Sequence, residues 1–423
     1  MFILHQTNTM VFIYDTAIFF YHLLIRMLAP FHKKASLFVS GRKSWLPRLQ
    51  AALSGEAPYI WFHCSSLGEF EQGRPVMEAI KKDYPQYKLV LTFFSPSGYE
   101  IRKNYALADV VCYLPADTRR NASLFVETVH PAMVFFVKYE FWYHFLHTLS
   151  GRNIPVYLIS GIFRKEQRFF TAMPWGSWFR KMLRYFSHFF LQDEFSARLL
   201  EGIGLKNLTI SGDTRFDRVA AIVNSSQLFP IVDKFRGNKP VLVAGSTWEP
   251  DEKLLVPFIN QNHDLKYIIA PHEISETHIS RLVSMLEKPT VLFSLADPAD
   301  IHLAEVIIVD SVGWLSALYR YGSYAYIGGG FGAGIHNILE AATFGMPVFF
   351  GPRYKKFREA CQLTEKGGAF PVNNTGEFIQ AISHFLNDPA EWEKAASLSG
   401  DYVKNNKGAT EIILAKTLAG RTA

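Results

Sequence analysis

The chain of 423 residues has few cysteines and lacks the sequence motifs of several enzyme classes. It contains three cysteines, Cys64, Cys112 and Cys361, with no CxxC pair and no His-rich spacing near them. That scarcity argues against a disulfide framework and against a zinc site, and it is consistent with a reducing compartment. The sequence also has no serine nucleophile elbow, Walker loop or HExxH motif, so the hydrolase, kinase and metalloprotease classes have no support.

Charge is sparse as well. Charged residues make up 19% of the chain and the net charge is +6 at pH 7. No Lys/Arg run with interleaved aromatics appears, which argues against a nucleic-acid partner, while the modest positive charge suits an anionic membrane surface or a phosphorylated substrate. A hydrophobic content of 49% predicts a folded chain. Its length allows two domains, since single cores stop growing near ~250–300 residues.

The N-terminal region contains one long apolar segment, Met10–Pro30, interrupted by Asp15, His22 and Arg26. Five basic residues follow it: Lys33, Lys34, Arg42, Lys43 and Arg48. The order of charges does not fit a cleavable signal peptide. We expect residues 1–35 to form a helix that anchors the protein at the cytoplasmic face of the inner membrane. The helix could either span the membrane or lie in its interface, because an Asp at mid-membrane costs ~2.5–3.5 kcal/mol. The remaining alternative is that the segment is a buried helix of a soluble domain.

Short apolar runs alternate with amphipathic stretches along the rest of the chain, as is typical of parallel strands that are buried on both faces. The pattern predicts an α/β protein with two doubly wound Rossmann-like domains facing a cleft, plus the N-terminal membrane-associated helix. We expect an acceptor-side domain over residues 36–220 and a linker over 221–238. The second domain, with C-terminal helices, is expected over 239–423.

The most informative stretch is Ala325–Pro352, AYIGGGFGAGIHNILEAATFGMPVFFGP. It reads as a buried strand, a glycine-rich turn, a helix that opens near Gly334–Ile335 and a second strand. His336, Asn337 and Glu340 lie on the opening turn. Glycines let backbone approach a ligand, and a helix N-terminus favours an anion. An acid on that turn suits ribose hydroxyls, so the stretch indicates a nucleotide-sugar site; tight strand–helix packing is the alternative.

Two further turns carry polar residues at the carboxyl ends of predicted strands. Ser66, Gly68 and Glu69 follow the strand Tyr59–Cys64, and Glu69 is placed to act as a general base on a hydroxyl. Its alternative role is an acid at a helix N-terminus. Ser246–Thr247 precedes an acidic, proline-led turn, where capping and phosphate binding are both possible.

Weaker candidates lie at other strand ends. Glu140 follows the strand Ala132–Val137 and His272 follows Leu265–Ala270, and each could be a satisfied polar group at a strand end. The tract Arg164–Phe190 mixes basic and aromatic residues. That composition fits acyl-chain and phosphate binding at a membrane face as well as it fits amphipathic core helices.

Taken in order, these features resemble the 3-deoxy-D-manno-octulosonic acid (Kdo) transferases of Gram-negative lipopolysaccharide synthesis. The resemblance runs from the N-terminal anchor to about Gly368. It rests on the motifs SLGE (Ser66–Glu69), TFFSPSG (Thr92–Gly98), YEFW (Tyr139–Trp142), GDTRFD (Gly212–Asp217), AGST (Ala244–Thr247), VDSVGWL (Val309–Leu315) and the glycine-rich block described above.

The resemblance implies a glycosyltransferase-B fold and transfer of Kdo from CMP-Kdo to a lipid A precursor, with inversion and without cofactor or metal. Glu69 matches the family's proposed base, and Ser66, Gly68 and Glu140 would lie on the acceptor side. Ser246 and Thr247, with amides near Gly334–Asn337, would hold the phosphate, and Glu340 the ribose. The implied donor-binding set is Ser246, Thr247, His272, Gly329, Gly330, Gly334, His336, Asn337 and Glu340.

Three motifs depart from the family pattern. Lys138 replaces the first acid of the motif that includes Glu140. The family's Pro–Arg–His reads Ala270–Pro271–His272 here, so the arginine is missing. Arg215 stands where the family has lysine. Two alternatives therefore stay in view: another glycosyltransferase-B enzyme that uses a UDP-sugar on a lipid acceptor, and a catalytically inactive membrane-bound scaffold.

Overall fold

The computed structural model describes residues 2–55, 57–225 and 227–419. The chain divides into two compact units. The first runs from Met1 to Arg218 and includes the segment that begins at Gly408; the second is continuous from Val219 to Lys407. Each unit is built on one parallel seven-stranded sheet, as the alternation of apolar runs and amphipathic stretches predicted.

The sheet of the first unit has the order β3-β2-β1-β4-β5-β6-β7. Its strands are β1 (Tyr59–Cys64), β2 (Lys88–Phe93), β3 (Val110–Tyr113), β4 (Pro131–Val137), β5 (Val156–Gly161), β6 (His188–Leu191) and β7 (Leu208–Ile210). The central strands are buried along their whole length, which explains their unbroken apolar sequences. Because the chain leaves β1 toward β2 and β3 and then returns to β4, the topological switch point lies between β1 and β4.

Helices cover the sheet and include the N-terminal segment. They are α1 (Phe2–Leu28), α2 (Lys33–Gly41), α3 (Trp45–Ala52), α4 (Leu67–Asp83), α5 (Pro96–Arg102), α6 (Arg119–Val129), α7 (Tyr143–Gly151), α8 (Pro174–Leu183), α9 (Glu194–Glu201) and α10 (Arg215–Ser225). A short 3-10 helix occupies Arg168–Phe170.

Strand β6 was not predicted, because it lies in the aromatic and basic tract Arg164–Phe190. Most of the aromatic rings in this tract are core residues. Phe169, Trp178 and Phe189 belong to the main hydrophobic cluster of the first unit. Most of the tract therefore belongs to the hydrophobic core of the first unit. Trp175 is one of its few large apolar side chains that are exposed.

The second unit has the strand order β10-β11-β9-β8-β12-β13-β14. Its strands, all predicted, are β8 (Val241–Thr247), β9 (Lys266–Pro271), β10 (Thr290–Leu292), β11 (Val306–Ile308), β12 (Tyr324–Ile327), β13 (Val348–Phe350) and β14 (Ala369–Pro371). The switch point of this sheet lies between β8 and β12, which pair directly.

Eight helices belong to the second unit, and short 3-10 helices lie at Phe293–Leu295, Ile301–Leu303 and Tyr319–Tyr321. The helices are α11 (Pro230–Arg236), α12 (Glu249–Gln261), α13 (Glu276–Met285), α14 (Leu315–Leu318), α15 (Leu339–Ala342), α16 (Arg358–Lys366), α17 (Thr375–Asn387) and α18 (Pro389–Asn406). The region 221–238, expected to be an irregular linker, is largely helical, since α10 and α11 occupy most of it; residue 226 lies outside the described residues.

The C-terminal helix α19 (Ala409–Thr417) groups with the first unit, although residues up to 423 were predicted to end the second domain. Asp217 accepts hydrogen bonds from the backbone amides of Gly408 (2.5 Å) and Thr410 (2.7 Å). Ile413 and Leu418 of this segment are buried in the same cluster as the β1 core residues. Burial of this apolar face is what fixes the chain end to the first sheet.

Helix α1 packs along the first unit by one stripe. Tyr14 donates a hydrogen bond to Asp117, and Asp15 Oδ1 lies 2.5 Å from His144 Nε2. Tyr21 stacks on Phe94 farther along the helix. Other large apolar side chains of the helix are exposed: Phe12, Ile13, Phe19, Phe20, Leu23, Leu24, Met27 and Leu28. Among the described residues, Thr9–Leu28 is the one helical segment long and apolar enough to cross a membrane.

Candidate active site

The first turn of interest follows β1 at the switch point of the first sheet. Ser66 is the N-cap of α4 and Glu69 lies in its first turn. The Ser66 hydroxyl donates a hydrogen bond to the Glu69 carboxylate, which fixes the orientation of that side chain. Glu69 is partly exposed. It therefore lies where a ligand would reach it, at the carboxyl end of a central strand.

Gly68 is exposed, and a Cβ there would come no closer than 3.7 Å to the Ser66 hydroxyl. The tight position of this region is Gly98 instead. A Cβ at Gly98 would lie 3.0 Å from the backbone carbon of Ser66 and 2.4 Å from the ring of Phe93. Gly98 thus lets the turn after β2 pack against the turn that carries Glu69.

Glu140 follows β4 but does not face solvent. Its side chain is buried, with Oε2 3.0 Å from His63 Nε2 and 2.6 Å from the Trp142 indole nitrogen, which donates to it. The other ring nitrogen of His63 lies 2.8 Å from the Thr92 hydroxyl. The Glu140 carboxylate, through His63, therefore joins β1, β2 and the segment after β4. Its place on the acceptor side stays a prediction.

Lys138 lies between β4 and Glu140 with a left-handed backbone, φ +69°. Such a conformation costs of order 1–3 kcal/mol for a non-glycine residue and is concentrated at functional sites. The neighbouring Tyr139 has a pKa raised by burial, and Glu69 adds to the rise through its charge.

Arg215, the residue that replaces a family lysine, is committed to an internal partner. Its Nε and Nη2 donate to Asp213 Oδ2 at 2.9 and 2.8 Å. Gln72 also donates to Asp213. The guanidinium of Arg215 thus orders the segment before α10.

The glycine-rich turn of the second unit follows β12 and packs directly against the end of β8. A Cβ at Gly328 would lie 2.2 Å from the Ser246 carbonyl oxygen, and a Cβ at Gly330 would lie 2.5 Å from the Gly351 Cα atom. Gly329 has φ +91°. The glycines are required here for close backbone packing and for a left-handed turn, which supports the packing role that the sequence left open beside ligand binding.

A buried acid holds this turn in place. Asp251 Oδ2 accepts hydrogen bonds from the amides of Gly329 and Trp248, both at 2.9 Å, and Oδ1 accepts from the Tyr326 hydroxyl at 3.0 Å. Burial raises the pKa of Asp251 and the donated hydrogen bonds oppose that rise. The sequence indicated only an acidic first turn at this position. Asp251 is the residue that connects α12, β12 and the glycine-rich turn.

Ser246 and Thr247 have different environments. Thr247 is fully buried and donates its hydroxyl to Glu252 Oε1 at 3.1 Å; Glu252 is in turn 2.8 Å from His278 Nε2. Thr247 therefore donates its hydroxyl inward, and its role in phosphate binding stays a prediction. Ser246 is partly exposed and has φ +53°, and its hydroxyl has no hydrogen-bond partner in the described part of the chain.

The predicted helix start near Gly334–Ile335 is wrong. Helix α15 begins at Leu339 and has four residues. The amides of Gly334 and His336 donate to the carbonyls of Gly329 and Gly328 within the turn. A helix of one turn provides little dipole for an anion, so these amides do not form the helical phosphate cradle that the sequence suggested.

His272 follows β9 and stacks on two other rings. Its ring centroid lies 4.5 Å from that of Trp248 and 4.6 Å from that of His336. The Trp248 indole also donates to His336 Nε2 at 3.2 Å. Burial lowers the pKa of His336, and His272 lowers it further, so the neutral ring of His336 is favoured. His272 and His336, which were each predicted to bind the donor, therefore lie together. Trp248, which was not predicted, lies against both of them.

Glu340 and Asn337 are neighbours on the same segment, with Asn337 Nδ2 donating to Glu340 Oε1 at 3.2 Å. Both are partly exposed, whereas Ile335, Ile338 and Leu339 are buried. The predicted division into a face on the sheet and a polar face is confirmed. No group of three or more His, Cys, Asp or Glu side chains is arranged to hold a metal ion within the described residues.

Comparison with known proteins finds similarity to one group of sugar transferases. Residues 42–218 match the family model described as 3-deoxy-D-manno-octulosonic-acid transferase (kdotransferase). The chain is 25% identical over 351 residues to the 3-deoxy-D-manno-octulosonic acid transferase of Chlamydophila psittaci, covering 80% of this chain and 79% of that one. It is 24% identical over 374 residues to the Haemophilus influenzae enzyme of the same name, covering 84% and 85%.

The chain is thus similar to the 3-deoxy-D-manno-octulosonic acid transferases over most of its length. Its two parallel sheets confirm the predicted glycosyltransferase-B fold. Among solved structures it is similar to the UDP-GlcNAc 2-epimerase of Neisseria meningitidis bound to UDP-GlcNAc, with a TM-score of 0.60, 14% identity and coverage of 85% of this chain and 99% of that one. That similarity concerns the fold.

Proposed function

We propose that the protein transfers Kdo from CMP-Kdo to a lipid A precursor of the lipid IVA type in lipopolysaccharide synthesis, with inversion at the anomeric carbon. The observation that carries this proposal is Glu69, a partly exposed carboxylate at the switch point of the first sheet, oriented by Ser66 within a motif that the family shares. No metal or cofactor is included in the proposed reaction.

In the proposed reaction Glu69 removes the proton from the acceptor hydroxyl. The acceptor oxygen then forms a bond to the anomeric carbon of Kdo, and the bond from that carbon to the phosphate oxygen breaks, so CMP leaves with the electron pair. A positioned base contributes typically 10²–10⁴-fold to such a step. The hydrogen bond from the Ser66 hydroxyl keeps the Glu69 carboxylate in place.

The donor nucleotide is proposed to bind at the switch point of the second sheet. Ser246 supplies a free hydroxyl, and the glycine-rich turn lets the ligand approach the backbone. Glu340 would accept hydrogen bonds from the ribose hydroxyls, with Asn337 holding its carboxylate. His272 and His336 would lie beside the same ligand as a stacked pair.

We also propose that α1 attaches the first unit to the cytoplasmic face of the inner membrane. Tyr14 and Asp15 contact the first unit, and most of the large apolar side chains between Phe12 and Leu28 are exposed. A helix held lengthwise by its own domain lies along the membrane surface, because crossing the bilayer would bury Asp117 and His144 in hydrocarbon.

A transfer assay tests the catalytic proposal. Purified, detergent-solubilised protein is incubated with a tetraacyl lipid A precursor and with CMP-Kdo generated in situ. The mass of the product is then measured by mass spectrometry. A gain of one or more Kdo units is expected, and the number of units follows from the mass. If folded protein gives no gain with CMP-Kdo but transfers a sugar from a UDP-sugar, the donor assignment is wrong; failure with every donor would point to an inactive scaffold.

A further inference from the structure

We propose that Arg353 and Lys356, which follow β13, supply the positive charge that receives the donor phosphate at the glycine-rich turn. This inference rests on the proposed function, because it concerns the phosphate of the nucleotide donor. It assigns a role to two residues for which the sequence gave none, in a site where the family's arginine before His272 is missing.

Arg353 is attached to the turn at two points. Its backbone amide donates to the Gly330 carbonyl at 2.9 Å, and its Nη1 donates to the Gly332 carbonyl at 2.7 Å. The guanidinium has five N–H donors, so most remain available while the side chain is held in place. Arg353 is exposed and has no carboxylate partner in the described part of the chain.

Lys356 reaches the same turn from the next part of the loop. Its ammonium group donates to the Ala333 carbonyl, and it lies over the ring of Phe357, 5.3 Å from the centroid. It is exposed and, over the described ranges, has no acidic partner. Arg353 and Lys356 therefore lie against the same short stretch of backbone, and neither has an acidic partner among the described residues.

Glycines make this arrangement possible. Gly330 and Gly351 are in backbone contact, since a Cβ at Gly330 would come within 2.5 Å of Gly351. A Cβ at Gly334 would lie 2.6 Å from Lys356 Cε and 3.0 Å from its Nζ. The loop after β13 is therefore packed onto the glycine-rich turn at Gly330 and at Gly334. A larger residue at either position would push the loop, and with it the two cations, away from the turn.

The local charge explains why such cations are needed. Asp251 lies buried behind Gly329, and Glu340 follows on the same segment, so two carboxylates surround the turn. Helix α15 is too short to offset a phosphate by its dipole, and Thr247 donates inward. A phosphate placed at this turn would meet net repulsion without nearby cations, and an Arg beside a Lys is a common phosphate-binding pair.

The test compares a charged with an uncharged ligand on the full-length protein. Isothermal calorimetry measures the affinity of CMP and of cytidine for the wild type, for Arg353→Gln/Lys356→Gln, and for the neighbouring control Lys355→Gln. We expect the double variant to bind CMP at least tenfold more weakly and cytidine equally well. The control should leave both affinities unchanged, and Arg353→Lys/Lys356→Arg should restore most of the CMP affinity because it keeps both charges.

The outcomes separate the two proposals. If the wild type binds CMP and the folded double variant binds it equally tightly, the role of Arg353 and Lys356 is refuted while the donor assignment stands. An equal loss of CMP and cytidine would also refute it, since the effect would then be structural. If the wild type binds no CMP at any salt concentration, the proposed donor is wrong and this inference falls with it.

Discussion

Glu140 Oε2 lies 3.0 Å from His63 Nε2, and both side chains are buried. The pair spans the switch point of the first sheet, because His63 is in β1 and Glu140 follows β4. Trp142 and Thr92 complete the network. The Glu140 carboxylate therefore joins β1 to the segment after β4, next to the turn that carries Glu69.

Replacing Glu69 with Gln should remove catalysis without removing donor binding. Gln accepts the Ser66 hydrogen bond but cannot take up a proton, so we expect the transfer rate to fall by ~10²–10⁴-fold. The measurement is single-turnover transfer with saturating donor, together with CMP affinity by calorimetry. Glu78→Gln on the same helix, which loses its ion pair with Arg74, is the matched control and should keep its rate. Full activity of Glu69→Gln would eliminate Glu69 as the base.

Replacing Glu340 with Ala should weaken nucleotide binding. The variant loses a charged acceptor for the ribose hydroxyls, and hydrogen bonds to charged groups contribute ~1.5–3 kcal/mol, so the affinity for CMP should fall by about tenfold or more. Binding of 2′,3′-dideoxycytidine monophosphate, which has no hydroxyls to donate, should be nearly the same in variant and wild type. Unaltered CMP affinity in Glu340→Ala would contradict the ribose role.

Two glycines of the same turn should respond differently to alanine. At Gly330 a Cβ would meet Gly351 at 2.5 Å, whereas at Gly332 the nearest atom is 3.7 Å away. Overpacking costs ~1–3 kcal/mol, so Gly330→Ala should lower the thermal stability of the second unit by roughly 2–8 °C and reduce CMP affinity. Gly332→Ala should do neither. Equal melting temperatures for the two variants would mean that the close contact is not required.

The first unit should lose stability in mild acid through His188. Burial, together with the positive charge of Lys416, lowers the pKa of this histidine to about 4. Its Nε2 lies 2.8 Å from the Thr209 hydroxyl. The folded form keeps the ring neutral, while the unfolded chain protonates it near pH ~6.5. Its contribution is therefore present above pH ~6.5 and lost as the pH falls toward 4.

Hydrogen exchange of the β6 amides between pH 7 and 4 measures this effect, after correction for the intrinsic exchange rate. His188→Gln should show a flatter dependence of opening free energy on pH than the wild type. The exposed His302 is the control position, and His302→Gln should leave the wild-type slope unchanged. Parallel slopes for all three proteins would exclude His188 as the titrating group.

Membrane binding should depend on the exposed face of α1. Phe12→Ser/Phe19→Ser/Phe20→Ser removes three aromatic side chains that are each more than half exposed, so the fold should persist. Each buried aromatic contributes ~1.5–3 kcal/mol when fully transferred from water, and sedimentation with vesicles that contain anionic lipid should show at least a tenfold loss of binding. Leu295→Ser/Leu303→Ser/Val312→Ser, at exposed apolar positions of the second unit, should bind like the wild type.

Sequence patterns predicted the parallel sheets well, because strands buried on both faces have unbroken apolar runs. All seven strands of the second unit followed from such runs, while β6 was missed because its aromatic residues continue a tract that also contains α8. Helix α15 was predicted too long since apolar spacing at Ile335, Ile338 and Leu339 suits a helix, yet the glycines before them hold the backbone in a turn.

Side-chain pairing was harder to predict than position. Thr247 and Glu140 lie at strand ends, as expected, but both side chains point inward. Thr247 is held by Glu252 of the following helix, and Glu140 is held by His63, which is distant in sequence. Asp251 could have been noticed as an acid at the third position of α12, though its contacts with Gly329 and Tyr326 depend on strand order. Such contacts require the three-dimensional arrangement of the strands.

The inclusion of α19 in the first unit has a consequence for synthesis on the ribosome. The second unit is continuous from Val219 to Lys407 and can complete its core as soon as that segment has emerged. The first unit, although translated earlier, leaves part of its β1-side core uncovered until Ile413 and Leu418 leave the exit tunnel. Nascent chains therefore carry an exposed apolar surface on the first unit until Ile413 and Leu418 have emerged.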